Sequence, residues 1–119
     1  MYYTYMLRCQ DNSIYTGITV DIKRRMKEHF SKDKNCAKYT KKHTAIKLEK
    51  VWESEDRKLA SKLEYHIKKL SKDKKEELIT NSKGLEKYLS KKIDFLEYKI
   101  VDLKAVIGEI KYEDQYNLW

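Results

Sequence analysis

Two β-forming runs separated by only four residues open this chain, and that closeness leaves them little choice but to pair as a hairpin. Tyr2 to Cys9 is dense in aromatic and β-favouring residues, and Ile14 to Thr19 is a second such run. Between them Gln10, Asp11, Asn12 and Ser13 are all turn-forming types. A parallel arrangement would need a crossover of a dozen or more residues, which this spacing excludes.

Downstream, the periodicity changes. Asp21 is placed to cap a helix over residues 22–32, whose apolar positions Ile22, Met26, His29 and Phe30 follow helical spacing while Lys23, Arg24, Arg25, Lys27 and Glu28 take the other sides. From Lys32 to His43 the chain is basic and nearly aperiodic and reads as an exposed loop. Residues 45–53, with Ile46, Leu48, Val51 and Trp52, suit a third strand. Ser54 or Glu55 then opens a helix carrying the stripe Leu59, Leu63, Ile67 and Leu70 to about Ser71, followed by a short helix over 72–79. Beyond Asn81-Ser82-Lys83-Gly84 a heptad-like seam runs through Leu85, Leu89, Ile93, Leu96, Ile100, Leu103, Ile107 and Ile110, weakened at Gly108 by about 1 kcal/mol. So narrow a stripe must be covered, either by the preceding domain or by a second copy of the chain through Leu89, Ile93, Leu96 and Ile100. The β-branched residues between Tyr98 and Ile110 also admit edge strands.

The 119 residues suffice for one domain, 1–79, with an extension, 80–119. The net charge of +8 resides wholly in the first part, where 20 basic side chains face 12 acidic ones. Such an excess favours polyanionic partners through counterion release. Cys9 and Cys36 are too few for a disulfide scaffold and lack metal-ligand spacing, so both read as reduced thiols. No apolar run approaches the roughly 18 residues of a membrane span, and no basic-then-apolar leader is present, which makes the cytoplasm the default address and a membrane partner unexpected.

Tyr3-Thr4-Tyr5 and Tyr15-Thr16-Gly17 resemble the two halves of the GIY-YIG nuclease signature, followed at similar spacing by Arg24-Arg25, His29 and Glu64. The resemblance spans residues 2–79 and is strongest to the compact single-domain bacterial members, through Tyr5-Met6-Leu7-Arg8-Cys9 and Ile67-Lys68-Lys69-Leu70-Ser71. Tyr3, Thr4 and Thr16 depart from the signature at strand positions without removing a reactive group. Many members carry a downstream Asn, for which Asn81 is the nearest candidate.

The resemblance implies an α+β fold, a three-stranded antiparallel sheet flanked by helices, and metal-dependent hydrolysis of phosphodiester bonds in DNA, with RNA as an alternative substrate. It further implies repair, recombination or uptake-related DNA processing. Glu64 would bind one Mg²⁺ or Mn²⁺, since a hard cation can complete its shell with water and phosphate oxygens. Tyr5 would serve as general base or proton relay helped by His29, and Tyr15 would orient water and phosphate. Arg25, one turn before His29, would hold the scissile phosphate with its planar fork. Nucleic-acid contacts would come from Arg24, from Lys38, Lys41 and Lys42, from Tyr39 stacking on a base, and from Gly17 admitting a close backbone approach.

Each of these residues has an ordinary reading too. Glu64 suits a solvated helix acid, the tyrosines suit half-buried strand positions, and the basic loop suits a merely solubilising one. A domain of this fold that binds nucleic acid without turnover is the competing function. Strand parity supplies a constraint: Tyr5 and Tyr15 share a face only if the hairpin loop holds an odd number of residues or a bulge intervenes, and a four-residue loop would separate them.

Overall fold

A computed structural model describes residues 1–32 and 34–107. Strands β1 (Tyr2–Cys9) and β2 (Ile14–Thr19) form the antiparallel hairpin. Its ladder continues past the strand ends, for the Cys9 N–H donates to the Ser13 carbonyl and the Asn12 N–H to the Cys9 carbonyl, both at 2.9 Å. That leaves Gln10, Asp11 and Asn12 as a three-residue loop, with Asn12 taking the left-handed φ of 69° that such a turn requires. The odd count meets the parity condition. Tyr5 pairs with Gly17 and Leu7 with Tyr15, so Tyr5, Tyr15 and Gly17 share one face of the sheet.

Helix α1 (Ile22–Phe30) is capped by Asp21, whose carboxylate accepts the Arg24 N–H at 3.1 Å, and it ends two residues earlier than its sequence suggests. Strand β3 (Ala45–Ser54) pairs with the other edge of β1. Helix α3 (Arg57–Lys68) starts later than expected because Asp56 takes the cap, accepting from the Leu59 N–H at 2.9 Å. Helix α4 (Lys72–Thr80) follows, capped by Ser71.

Two expectations need correction. The basic segment is not all loop: residues 38–42 form a short helix, α2 (Lys38–Lys42), which buries Thr40 while Lys38, Lys41 and Lys42 stay exposed. Nor does the seam after Gly84 form one helix. Helix α5 (Gly84–Leu89) stops at Ser90, Asp94 caps a 3-10 turn over Phe95–Glu97, and β4 (Lys99–Ile100) pairs with Trp52 and Glu53 of β3 before a last short helix, α6 (Leu103–Ile107). The edge-strand alternative therefore holds at Lys99–Ile100, and the sheet has four strands in the order β2-β1-β3-β4. Gly108 and Ile110 lie outside the described residues.

The sheet is covered on both faces. Against one lies α1, with Tyr5, Leu7, Ile22, Met26, Leu48 and Val51 in its core. Against the other lie α3, α4 and α5, enclosing Met6, Trp52, Leu63, Ile67, Leu78 and Leu89. Leu85, Ile93 and Tyr98 join that second core, and the Tyr98 hydroxyl donates to the Leu59 carbonyl at 2.7 Å, so the described part of the C-terminal segment docks on the same chain. Leu89 and Ile93, expected in a self-association seam, are 3% and 5% exposed and already covered, whereas Leu96 remains 82% exposed. Arg8 bridges the sheet to α4, donating to both Glu76 carboxylate oxygens at 2.6 and 2.5 Å and to Glu49 at 3.1 Å.

Candidate active site

The hairpin and α1 bring three rings together. Tyr5 and Tyr15, diagonal neighbours on one face, have ring centroids 6.2 Å apart, and His29 lies 5.6 Å from Tyr5 and 5.5 Å from Tyr15. The Tyr5 hydroxyl is 2.8 Å from His29 Nε2. Gly17 makes this packing sterically feasible: a Cβ built there would stand 2.5 Å from the Tyr5 hydroxyl oxygen and 2.9 Å from Tyr15. Its missing side chain thus makes room for the two rings. No positive φ is involved.

The His29 ring is completely buried and bonded at both nitrogens, Nδ1 lying 2.8 Å from Thr40 Oγ1. Burial and the nearby Arg25 guanidinium push its pKa down to about 3, so the ring is neutral. Burial, Tyr15 and Glu64 raise the Tyr5 phenol above its ordinary value, and Arg25 opposes them. Tyr5 itself is 1% exposed. Arg25, Tyr15 and Glu64 therefore all act on the Tyr5 hydroxyl.

Arg25 is half-buried, one Nη holding Glu28 at 2.8 Å and the Asn35 carbonyl at 2.6 Å, which fixes the guanidinium in place. It also lines a cleft of about 290 Å³ with Tyr2, Thr19, Arg24, Glu28 and Arg57. Among the described residues on that wall, Glu28 is the one acid, and Arg25 already holds it. Arg57 was not singled out by sequence. The signal was weak but legible, since Arg57 sits seven residues before Glu64 on the same face of α3.

Glu64 projects from α3 beside the apolar stripe, its side chain 24% exposed. Lys68, one turn on, places its ammonium 3.4 Å from the Glu64 carboxylate and 5.9 Å from the centre of the Tyr15 ring. A cation therefore already rests between Glu64 and Tyr15. Among the described residues no cluster of three or more His, Cys, Asp or Glu could hold a metal ion. One carboxylate fits a hard dication that draws most of its shell from water and phosphate.

The flanking elements meet expectation unevenly. Lys38, Lys41 and Lys42 lie on α2, all three exposed. The half-buried Tyr39 ring is stacked on His43 at 4.1 Å and against Tyr15 at 5.6 Å. His43 Nδ1 in turn lies 2.5 Å from Asp11 in the hairpin loop, so α2 is tied to the hairpin at both ends of this ring ladder. Asn81 is committed elsewhere, its side chain accepting the Lys83 N–H at 2.9 Å in the turn between α4 and α5. Thr40, passed over in the sequence as part of a loop, is fully buried against His29.

Residues 1–77 match the family described as the GIY-YIG catalytic domain. A UPF0213 protein of Fusobacterium nucleatum is 49% identical over 79 residues, covering 66% of this chain and 77% of that one. A UPF0213 protein of Halalkalibacterium halodurans is 40% identical over 83 residues, covering 70% and 86%. The solution NMR structure of a UPF0213 protein from Bacillus halodurans is 38% identical, covers 67% of this chain and 84% of that one, and superposes with a TM-score of 0.40.

Proposed function

The chain belongs to the GIY-YIG catalytic-domain family, alongside bacterial UPF0213 proteins, and from that premise we propose that it hydrolyses phosphodiester bonds of DNA with one divalent cation. The observation that carries the reading is the 2.8 Å bond between the Tyr5 hydroxyl and a neutral His29, with Arg25, Tyr15 and Glu64 gathered at the same hydroxyl.

Glu64 would hold Mg²⁺ or Mn²⁺, with Lys68 moving aside. When bound, the cation supplies Lewis-acid polarisation of the phosphate and neutralises charge on the leaving 3′ oxygen. Tyr5 would accept the proton of the attacking water while its own proton moves to His29 Nε2. Because the phenol pKa is raised and the imidazole pKa lowered, the unliganded pair stays neutral, and no phenolate waits in the resting site. Arg25 would bind a phosphate oxygen through the donors not used on Glu28 and Asn35, and Tyr15 would orient the water. Water attack at phosphorus leaves a 5′-phosphate and a 3′-hydroxyl. Arg24 and Arg57 would hold the strand beside the cut, and the α2 lysines would grip its continuation.

One observation favours a second reading, a binding module of the same fold. Tyr5 is almost fully withdrawn from solvent, so the base is inaccessible until substrate arrives. A panel of single-stranded, duplex and branched DNA, with RNA alongside and Mg²⁺ or Mn²⁺ present, separates the two. We expect the wild type to cut at least one DNA form and Glu64→Gln to reduce cleavage by roughly a hundredfold or more while keeping its affinity. Equal cleavage by both proteins would remove the proposed site, and binding without cleavage would select the second reading.

A further inference from the structure

Two acceptors stand in reach of the one Thr40 hydroxyl proton: the Ala37 carbonyl at 3.1 Å, which also takes the Lys41 N–H at 3.2 Å, and His29 Nδ1 at 2.8 Å. The bond to Ala37 is the local one, made back along the turn that starts α2. With the proton on that bond, Thr40 Oγ1 faces His29 Nδ1 as an acceptor, and Nδ1 carries the imidazole proton. A neutral ring has only one, which leaves Nε2 as a bare lone pair. The Tyr5 hydroxyl, 2.8 Å from Nε2, is then the donor of that bond.

We propose that Thr40 is a positioning residue that selects the Nδ1–H tautomer of His29 and thereby aims the Tyr5 O–H inward, so that the phenol oxygen is left as an acceptor on its Arg25 side. In the opposite tautomer Nε2–H would donate to the Tyr5 oxygen, occupying a lone pair and turning the phenol proton outward, toward where the attacking water must be deprotonated. The catalytic meaning rests on the nuclease reading, but the tautomer does not. Thr40 lies at the centre of α2 and Ala37 at its N-cap, on the segment that also carries Lys38, Lys41 and Lys42, so seating α2 on the hairpin and setting the base are one structural event.

Long-range ¹H–¹⁵N correlation of the His29 ring in the full chain tests this directly. The wild type and Thr40→Ser are expected to show a protonated Nδ1 and an unprotonated Nε2, and Thr40→Val to shift toward Nε2–H. With the cleavable substrate, Thr40→Val is expected to reduce kcat about 10- to 100-fold with KM within about twofold, and Thr40→Ser to restore most of it. A wild-type ring protonated at Nε2, or an unchanged tautomer in a folded Thr40→Val, overturns the assignment even if Thr40→Val yields too little folded protein for kinetics. If no substrate is cut while the tautomer behaves as stated, the nuclease reading fails and the positioning of His29 stands.

Discussion

At the scale of single residues, the site is limited by space and by where its protons sit. Gly17 has no side chain because the Tyr5 ring lies where one would go. Gly17→Ala forces the Tyr5 ring to shift, and overpacking of this kind costs about 1–3 kcal/mol, with cleavage falling further than stability because the Tyr5–His29 bond is what moves. Chemical denaturation beside a cleavage assay measures both. His29 carries a stability signature. Its pKa is about 3 in the fold against an ordinary 6.5, so below pH 6.5 the unfolded chain binds a proton that the native state refuses. Stability therefore declines as pH falls from about 6.5 toward 3. His66, half-buried and lowered by burial and neighbouring lysines, acts in the same direction. His29→Gln should flatten most of the slope between about pH 6.5 and 5, above the range where carboxylates titrate, in denaturation curves collected across that interval.

At the scale of elements, the hairpin supplies the tyrosines, α1 the arginine and histidine, α3 the glutamate, and α2 closes the side. The hairpin, α1 and α3 were legible because their apolar positions recur at the period of the element. Helix α2 was obscured because it is five residues long, lysines occupy three of its positions and Thr40 is its one buried residue, too little for a period to show. Its three lysines give a prediction proper to an element. Replacing Lys38, Lys41 and Lys42 with Gln should weaken binding to all DNA sequences alike and reduce the slope of log K against log salt by about 0.9 for each phosphate no longer neutralised. Fluorescence-anisotropy titrations from low to moderate salt measure it, and weakening confined to one sequence would contradict a backbone role.

At the scale of the whole molecule, the described C-terminal segment belongs to the packing of the sheet. Ile93 is 5% exposed within the core built from Met6, Trp52 and Leu63, so Ile93→Ala should destabilise the entire chain by about 2–4 kcal/mol in a single cooperative transition. A separate early melt would instead identify a detachable appendage. Among the described residues no helix is long and apolar enough to cross a membrane. Local periodicity and residue chemistry alone determined the hairpin, the amphipathic helices and the basic surface, because these depend on neighbours a few positions apart, while the ordered series Tyr5, Tyr15, Arg25, His29 and Glu64 was legible through its resemblance to the family signature. Only the tertiary structure decided the three-residue loop that unites the tyrosines, the turn of the C-terminal seam into a fourth strand, and the burial of Thr40 behind His29. Those outcomes depend on which distant backbone groups find hydrogen-bond partners, and no local pattern encodes that pairing.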